Sequence, residues 1–238
     1  IPLHTTDGIY WTAEVELEIP HEGMIINYNY QIEQNGIVIR REWDSFPRSI
    51  FLSGTSKKIY RINDCWKNIP EQSYLYSSAF TEALLAPPER ESIPQSYKKG
   101  LVIKAYAPHI NKDYCLAICG NQKSLGHWDP EKAVLMSDAN FPEWQIELDA
   151  SKLKYPLEYK FILYNKQEKK ADCWEKNPNR YLADPELKTN ETLVISDRYA
   201  YFDIPAWKGA GIAIPVFSLK SEKSFGVGDF GDLKRMIC

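Results

Sequence analysis

Six short apolar runs between residues 101 and 197 constrain this chain more than any other feature. They read LVIKAYAP, YCLAICG, KAVLMS, EWQIELD, LEYKFILYN and TLVISD, and turn formers separate them. Runs of this length, rich in β-branched and aromatic residues, are strands of an antiparallel sheet. Helical periodicity is nearly absent. The spacing predicts a small immunoglobulin-like antiparallel β-sandwich.

The first part of the chain carries a related pattern. Ile9, Trp11, Ala13, Val15 and Leu17 alternate with Tyr10, Thr12, Glu14, Glu16 and Glu18, which predicts a half-buried strand. The run MIINYNYQIEQNGIVIRREW reads as a hairpin turning at Asn35-Gly36. Residues 64–98 differ: the run SSAFTEALLAPPERESIPQSYKKG, Ser77 to Gly100, reads as a short helix or coil followed by a proline-rich linker. The two series read as copies. Their alignment sets Trp144 against Trp11, Tyr159 against Tyr30, and Trp174 against Trp43. The first copy then lacks opening strands, and a sandwich short of two strands is unstable alone, so it is expected to be incomplete at its N-terminus. The chain starts Ile-Pro-Leu and stops within an amphipathic segment, so both ends read as cut.

Composition narrows the classes. A net charge of -3 without a basic stripe speaks against nucleic acid, and no apolar run reaches the ~20 residues of a membrane helix. The cysteines, Cys65, Cys115, Cys119, Cys173 and Cys238, form no CxxC metal pattern. Cys115 and Cys119 share one strand face and are expected to be small buried residues, which fits a reducing cytosol.

The unusual content is 7 Trp and 15 Tyr. Trp11 and Trp144, within alternating strands, read as core. Trp128 and Trp174 stand in polar loops beside Pro and Gly, where a ring is either pinned inward or held out for a ligand. Loops at one end of a sandwich converge, so these two could present neighbouring rings. Two tilted indoles suit the apolar faces of successive sugars in an α-1,4-glucan, with Lys160 and Asn179 as hydrogen-bond donors to hydroxyls. Read blandly, Lys160 is a solvated strand lysine.

The segments GNQKSLGHWDPEKAVLM, EWQIELD, LEYKFIL and CWEKNPNRYL resemble the starch-binding domain of carbohydrate-binding module family 20. The resemblance covers about residues 99–197. It implies that Trp128, Lys160, Trp174 and Asn179 line the family's first glucan site, with Glu175 beside it. The tyrosines of the family's second site are not placed in this sequence; Lys112 and Asn140 fall near their places. Residues 1–86 look like another copy that keeps Trp43 but has Gln31 for the strand lysine and Arg48 for the loop asparagine. AGIAIPVFSLKSEKSFGVGDFGDLKRMI resembles the opening of the glycoside hydrolase family 77 catalytic domain, the amylomaltases or 4-α-glucanotransferases. That family uses a retaining (β/α)₈ barrel whose catalytic carboxylates would lie beyond Cys238.

The expected fold is mainly β: two immunoglobulin-like β-sandwich modules followed by the first strand and helix of a truncated (β/α)₈ barrel. The boundaries are 1–86 for the first module, 87–98 for a linker, 99–197 for the second module and 198–238 for the start of the catalytic domain. The resemblance implies a glucan-binding region of a 4-α-glucanotransferase, binding through Trp128, Lys160, Trp174, Glu175 and Asn179, and through Trp43 in the first copy. It implies no catalytic residue, metal or cofactor in this chain. The expected partner is α-1,4-glucan, as starch, glycogen or maltooligosaccharides, with no nucleic acid or membrane, in the cytoplasm. The rival reading is a sandwich that binds another protein through its exposed aromatics.

Overall fold

The computed structural model describes residues 1–54, 57–84, 97–110, 113–203, 214–222 and 226–237. Residues 1–203 form one compact unit, and residues 204–238 form another.

The expected runs become strands. In the second half they are β6 (Lys99–Tyr106), β7 (Tyr114–Gly120), β8 (Val134–Leu135), β9 (Ser137–Asn140), β10 (Glu143–Asp149), β11 (Leu157–Asn165), β12 (Lys170–Trp174), β13 (Arg180–Leu182) and β14 (Glu191–Tyr199). The first half supplies β1 (Met24–Tyr28), β2 (Gln31–Gln34), β3 (Ile37–Arg41), β4 (Arg48–Leu52) and β5 (Ile59–Asn63). The two larger sheets have the orders β5-β14-β6-β10-β9 and β12-β11-β7-β8, with β13 also on β11, while β1 pairs with β4 and β2 with β3 in separate two-stranded sheets. Leu101, Ile103, Leu116, Ile118, Trp144, Leu157, Phe161 and Leu193 are buried core residues of this β arrangement. Strands β2 and β3 form the hairpin anticipated at Asn35-Gly36, where both residues have positive φ, as a tight two-residue turn requires.

β6 is apolar almost without interruption because both of its faces are covered. Val102 packs with Val194, Ile50 and Leu52, and Ile19, Ile26, Tyr28 and Tyr60 close this cluster. The first half of the chain therefore covers the outer face of the second half's sheet. β5 extends that sheet by pairing parallel with β14 from Ile59↔Glu191 to Asn63↔Ile195. On the same seam, Lys104 pairs with Glu143 at 2.9 Å, and Asn140 Nδ2 donates to Ser49 Oγ at 2.7 Å. Asn140 thus faces the first half of the chain; Lys112 lies outside the described residues.

The expected strand at residues 9–18 does not form. This segment has a single bridge, His4↔Thr12, and Trp11 is 59% exposed, whereas Trp144 is 2% exposed. Alternation creates a strand only where neighbours accept its hydrogen bonds. β10 lies between β6 and β9, while residues 9–18 have no such flanks among the described residues.

Cys115 and Cys119 are buried and free, as their shared strand face suggested. In the region expected to be helix or coil, Ser73–Tyr76 is 3₁₀ and Ala79–Leu84 is a π-helical turn. Most of the expected linker lies outside the described residues.

In the second unit, helix α1 (Phe230–Ile237) starts where the amphipathic run suggested. Asp229 Oδ1 accepts from the Gly231 and Asp232 amides at 2.7 and 3.0 Å, and Asp232 Oδ2 accepts from the Asp229 amide at 3.1 Å. This reciprocal cap satisfies donors that the first helical turn leaves free. The expected preceding strand is absent from the described residues. Val216–Ser218 is a 3₁₀ turn behind Pro215, whose ring nitrogen cannot donate to a ladder, and Phe217 is exposed. Residues 204–213, where most of that strand was expected, lie outside the described residues.

Candidate functional site

Two loops build the site. The first, Lys123–Trp128, follows β7 and contains left-handed φ values of 78°, 52° and 62° at Gly126, His127 and Trp128. A Cβ at Gly126 would meet Lys132 O at 2.7 Å, so both backbone conformation and space require glycine. Leu125 is fully buried and anchors the loop. The His127 amide donates to Gln122 O at 2.9 Å, and the Asp129 amide to Gly126 O at 3.0 Å. Asp129 then caps the turn Pro130–Lys132 through the Glu131 amide. The indole of Trp128 is thereby held in a half-buried position on a tightly bonded turn.

The second loop leaves β12 at Trp174 and returns through Asn179 to β13. Trp174 stands opposite Ile162 on β11, and Lys160 stands opposite Cys119 on β7. Residues directly opposite each other, and residues two apart on one strand, share a face. Trp174, Lys160, Ile162, Ala117 and Cys119 therefore share one face. Ala117, Cys119 and Ile162 form a shallow apolar cluster there, flanked by Ala133 and Ala171. Small side chains leave room for the first loop, and Cys119 Sγ contacts Asp129 O at 3.4 Å.

The result is an indole pair. Trp128 and Trp174, 46 positions apart in sequence, have ring centroids 6.1 Å apart at an interplanar angle of 46°. Trp174 is 36% exposed, Lys160 is half-buried and Asn179 is exposed.

Glu175 stands elsewhere. Its side chain is fully enclosed and accepts from the Phe161 amide at 2.9 Å, from Asn177 Nδ2 at 2.9 Å, and from Arg180 Nε and Nη2 at 3.2 and 2.9 Å. Arg180 also donates to Asp197 O at 2.8 Å, lies over the Phe161 ring at 4.7 Å, and approaches the Asp197 carboxylate. Tyr159 OH donates to Asp197 Oδ2. Burial pushes the Asp197 carboxyl and the Tyr159 phenol upward, so both resist ionisation more than exposed groups would. Glu175 thus locks the second loop from beneath. Arg180, Asn177, Asp197 and Tyr159 were missed as members of this device; the signal was a lone arginine three residues after Asn177 in the polar stretch WEKNPNR.

The same device recurs in the first half. The Tyr30 amide donates to Glu42 Oε1 at 3.1 Å, Arg48 meets Glu42 through Nε and Nη2 at 3.0 and 2.9 Å, and Arg48 Nη1 pairs with Asp64 at 3.1 Å. Tyr28 OH donates to Asp64 Oδ2 at 2.8 Å. Tyr28, Tyr30, Glu42, Arg48 and Asp64 are therefore the counterparts of Tyr159, Phe161, Glu175, Arg180 and Asp197. Ladder register agrees: Tyr28 opposes Arg48 as Tyr159 opposes Arg180, and Gln31 opposes Arg41 as Ile162 opposes Trp174.

This corrects the sequence alignment of the copies. The counterpart of Trp174 is Arg41, that of Lys160 is Asn29 and that of Asn179 is Pro47; the alignment had chosen Trp43, Gln31 and Arg48. Trp43 instead packs edge-on against Tyr76 at 4.8 Å, with the Lys67 ammonium 5.7 Å from its ring centre. The alignment followed the tryptophans, whereas the fold follows the buried glutamate beside each.

Strand pattern, sheet order and the paired indoles define a β-sandwich module that presents an aromatic cradle on one face. Residues 102–194 match the family described as the starch binding domain. Along 99% of its length the chain is 26% identical, over 251 aligned residues, to 4-alpha-glucanotransferase DPE2 of Oryza sativa subsp. japonica, and it spans 26% of that relative. Solved structures with local likeness include the family 20 carbohydrate-binding module of a maltotetraose-forming amylase from Pseudomonas saccharophila STB07 (17% identity, TM-score 0.34, 41% of this chain and 98% of that one). They also include a family 15 glucoamylase from Hypocrea jecorina (21% identity, TM-score 0.34, 41% of this chain and 16% of that one).

Proposed function

We propose that the second module, residues 99–197, holds α-1,4-glucan between Trp128 and Trp174, with Lys160 and Asn179 donating to sugar hydroxyls. The chain would be the glucan-binding region of a 4-α-glucanotransferase that moves glucosyl units between maltooligosaccharides and larger glucans. The observation that carries this reading is the pair of indoles brought to 6.1 Å at 46° from separate loops. Stacking that removes roughly 80 Å² of apolar surface contributes about 2 kcal/mol per contact. With a few hydrogen bonds, and less the cost of ordering, dissociation constants of about 10 μM to 1 mM follow. Such affinity suits a module that raises the local concentration of starch, glycogen or maltooligosaccharide for a catalytic domain.

Catalysis is assigned to a barrel of which residues 198–238 would be the start. Residues 1–86 are the first module and 87–98 the linker. In the first module Arg41, Asn29 and Pro47 replace the cradle residues, so its contribution is to brace the second. Free Cys65, Cys115, Cys119 and Cys173 suit a reducing cytoplasm. Among the described residues no helix is long and apolar enough to cross a membrane.

Titration with β-cyclodextrin, followed by tryptophan fluorescence, tests the reading. Saturation below a few millimolar is expected, and Trp174→Ala should weaken binding by roughly 30-fold with the melting temperature unchanged. No response up to several millimolar would overturn the assignment; a collapse of the melting temperature would make Trp174 a packing residue.

A further inference from the structure

A second aromatic pair repeats the geometry of the first. Tyr199 and Tyr201 have ring centroids 6.0 Å apart at an interplanar angle of 46°, against 6.1 Å and 46° for Trp128 and Trp174. Both pairs lie in the compact unit of residues 1–203, and the second loop joins them. The Lys176 amide donates to Tyr201 O at 2.6 Å, while Asn177 Nδ2 and Arg180 Nη2 donate to Tyr199 O at 2.9 and 3.2 Å. Lys176 is two residues beyond Trp174, which places the Tyr201 backbone on the order of 10 Å from that of Trp174.

The tyrosines are held firmly from behind. The Tyr199 ring packs at 5.7 Å on Tyr106 and 6.5 Å on buried Tyr76, and its hydroxyl donates to Asn68 O at 3.3 Å. Tyr201 is 48% exposed. Its rim is polar: the exposed pair Lys176–Asp203, at 3.0 Å, adjoins it. An apolar face with a charged and hydroxylic border is the chemistry that fits a sugar ring.

We propose that Tyr199 and Tyr201 extend the glucan-binding surface, so that a linear α-1,4-glucan runs from the Trp128–Trp174 cradle across the loop 174–180 onto Tyr201. The proposal rests on the assignment of that cradle. The packing of Tyr199 on Tyr76 and Tyr106 ties the extension to the seam between the two halves of the chain, because Tyr76 also stacks with Trp43. A linear chain long enough to leave the cradle would reach the tyrosines, whereas the closed ring of β-cyclodextrin would fill the cradle alone.

The test compares β-cyclodextrin with linear maltodecaose by isothermal titration on the whole chain, for the parent, Tyr201→Ala, Tyr201→Phe and Trp174→Ala. Tyr201→Ala should weaken maltodecaose roughly tenfold and leave β-cyclodextrin unchanged, which also shows that the module remains folded. Tyr201→Phe, which keeps the ring, should bind both as the parent does. If Tyr201→Ala leaves maltodecaose affinity unchanged, or weakens both ligands equally, while Trp174→Ala still weakens both ligands, the extension is overturned and the cradle stands. If Trp174→Ala affects neither ligand, the cradle falls, and the extension with it.

Discussion

A carboxylate beside each loop tryptophan decides more than the tryptophan does. Glu175 is enclosed with Arg180, and its oxygens are met by a backbone amide, an asparagine and a guanidinium. Such a pair is no proof of stability, since desolvating both charges offsets much of their attraction, but breaking it strands a charge. Arg180→Ala should therefore destabilise the unit by about 3–5 kcal/mol, read as a lower urea midpoint with an unchanged slope. It should also loosen the loop that positions Trp174 and Asn179, so glucan affinity is expected to fall along with stability. Nothing in the sequence alone separates Glu175 from an exposed ligand carboxylate, because the residue type is the same; enclosure by Phe161, Asn177 and Arg180 makes it a support.

At the scale of elements, the two site loops differ in how they are held. The loop of Glu175 rests on ionic pairs. The loop of Trp128 rests on backbone conformation, with three successive left-handed residues and Leu125 as its anchor. Gly126→Ala would introduce both a strained φ and a Cβ 2.7 Å from Lys132 O. A loss of about 1–3 kcal/mol is expected, together with weaker β-cyclodextrin binding, because Trp128 would leave its place beside Trp174. A parent-like melting curve would show that the loop can refold around the methyl. Strand existence was legible here: β6, β7, β10, β11 and β14 fall where the apolar runs placed them. Residues 9–18 carry an equally clear alternation and form no strand, because alternation describes a strand's faces and not its neighbours.

For the whole molecule, the seam matters most. Ile50 and Leu52 of β4 pack on Val102 and Val194, and β5 continues the second module's sheet. Two modules joined by a flexible linker would unfold independently; a shared core and a shared sheet couple them. Residues 1–203 are expected to melt in one transition, and Ile50→Ala should lower that transition by about 2–5 kcal/mol. Differential scanning calorimetry would refute this by showing two peaks with the upper one unmoved.

Sequence by itself determined the mainly β character, the hairpin at Asn35-Gly36, the positions of the main strands of the second module and the identity of the loop tryptophans, since period-two alternation and turn chemistry reside in contiguous residues. The tertiary structure alone decided that Trp128 and Trp174 meet, that Glu175 turns inward, and that the copies register on Glu42 and Glu175 rather than on Trp43 and Trp174. Those outcomes depend on which distant groups satisfy one another once water is removed. A buried glutamate must find its arginine, while a half-exposed tryptophan can stand at several positions around it.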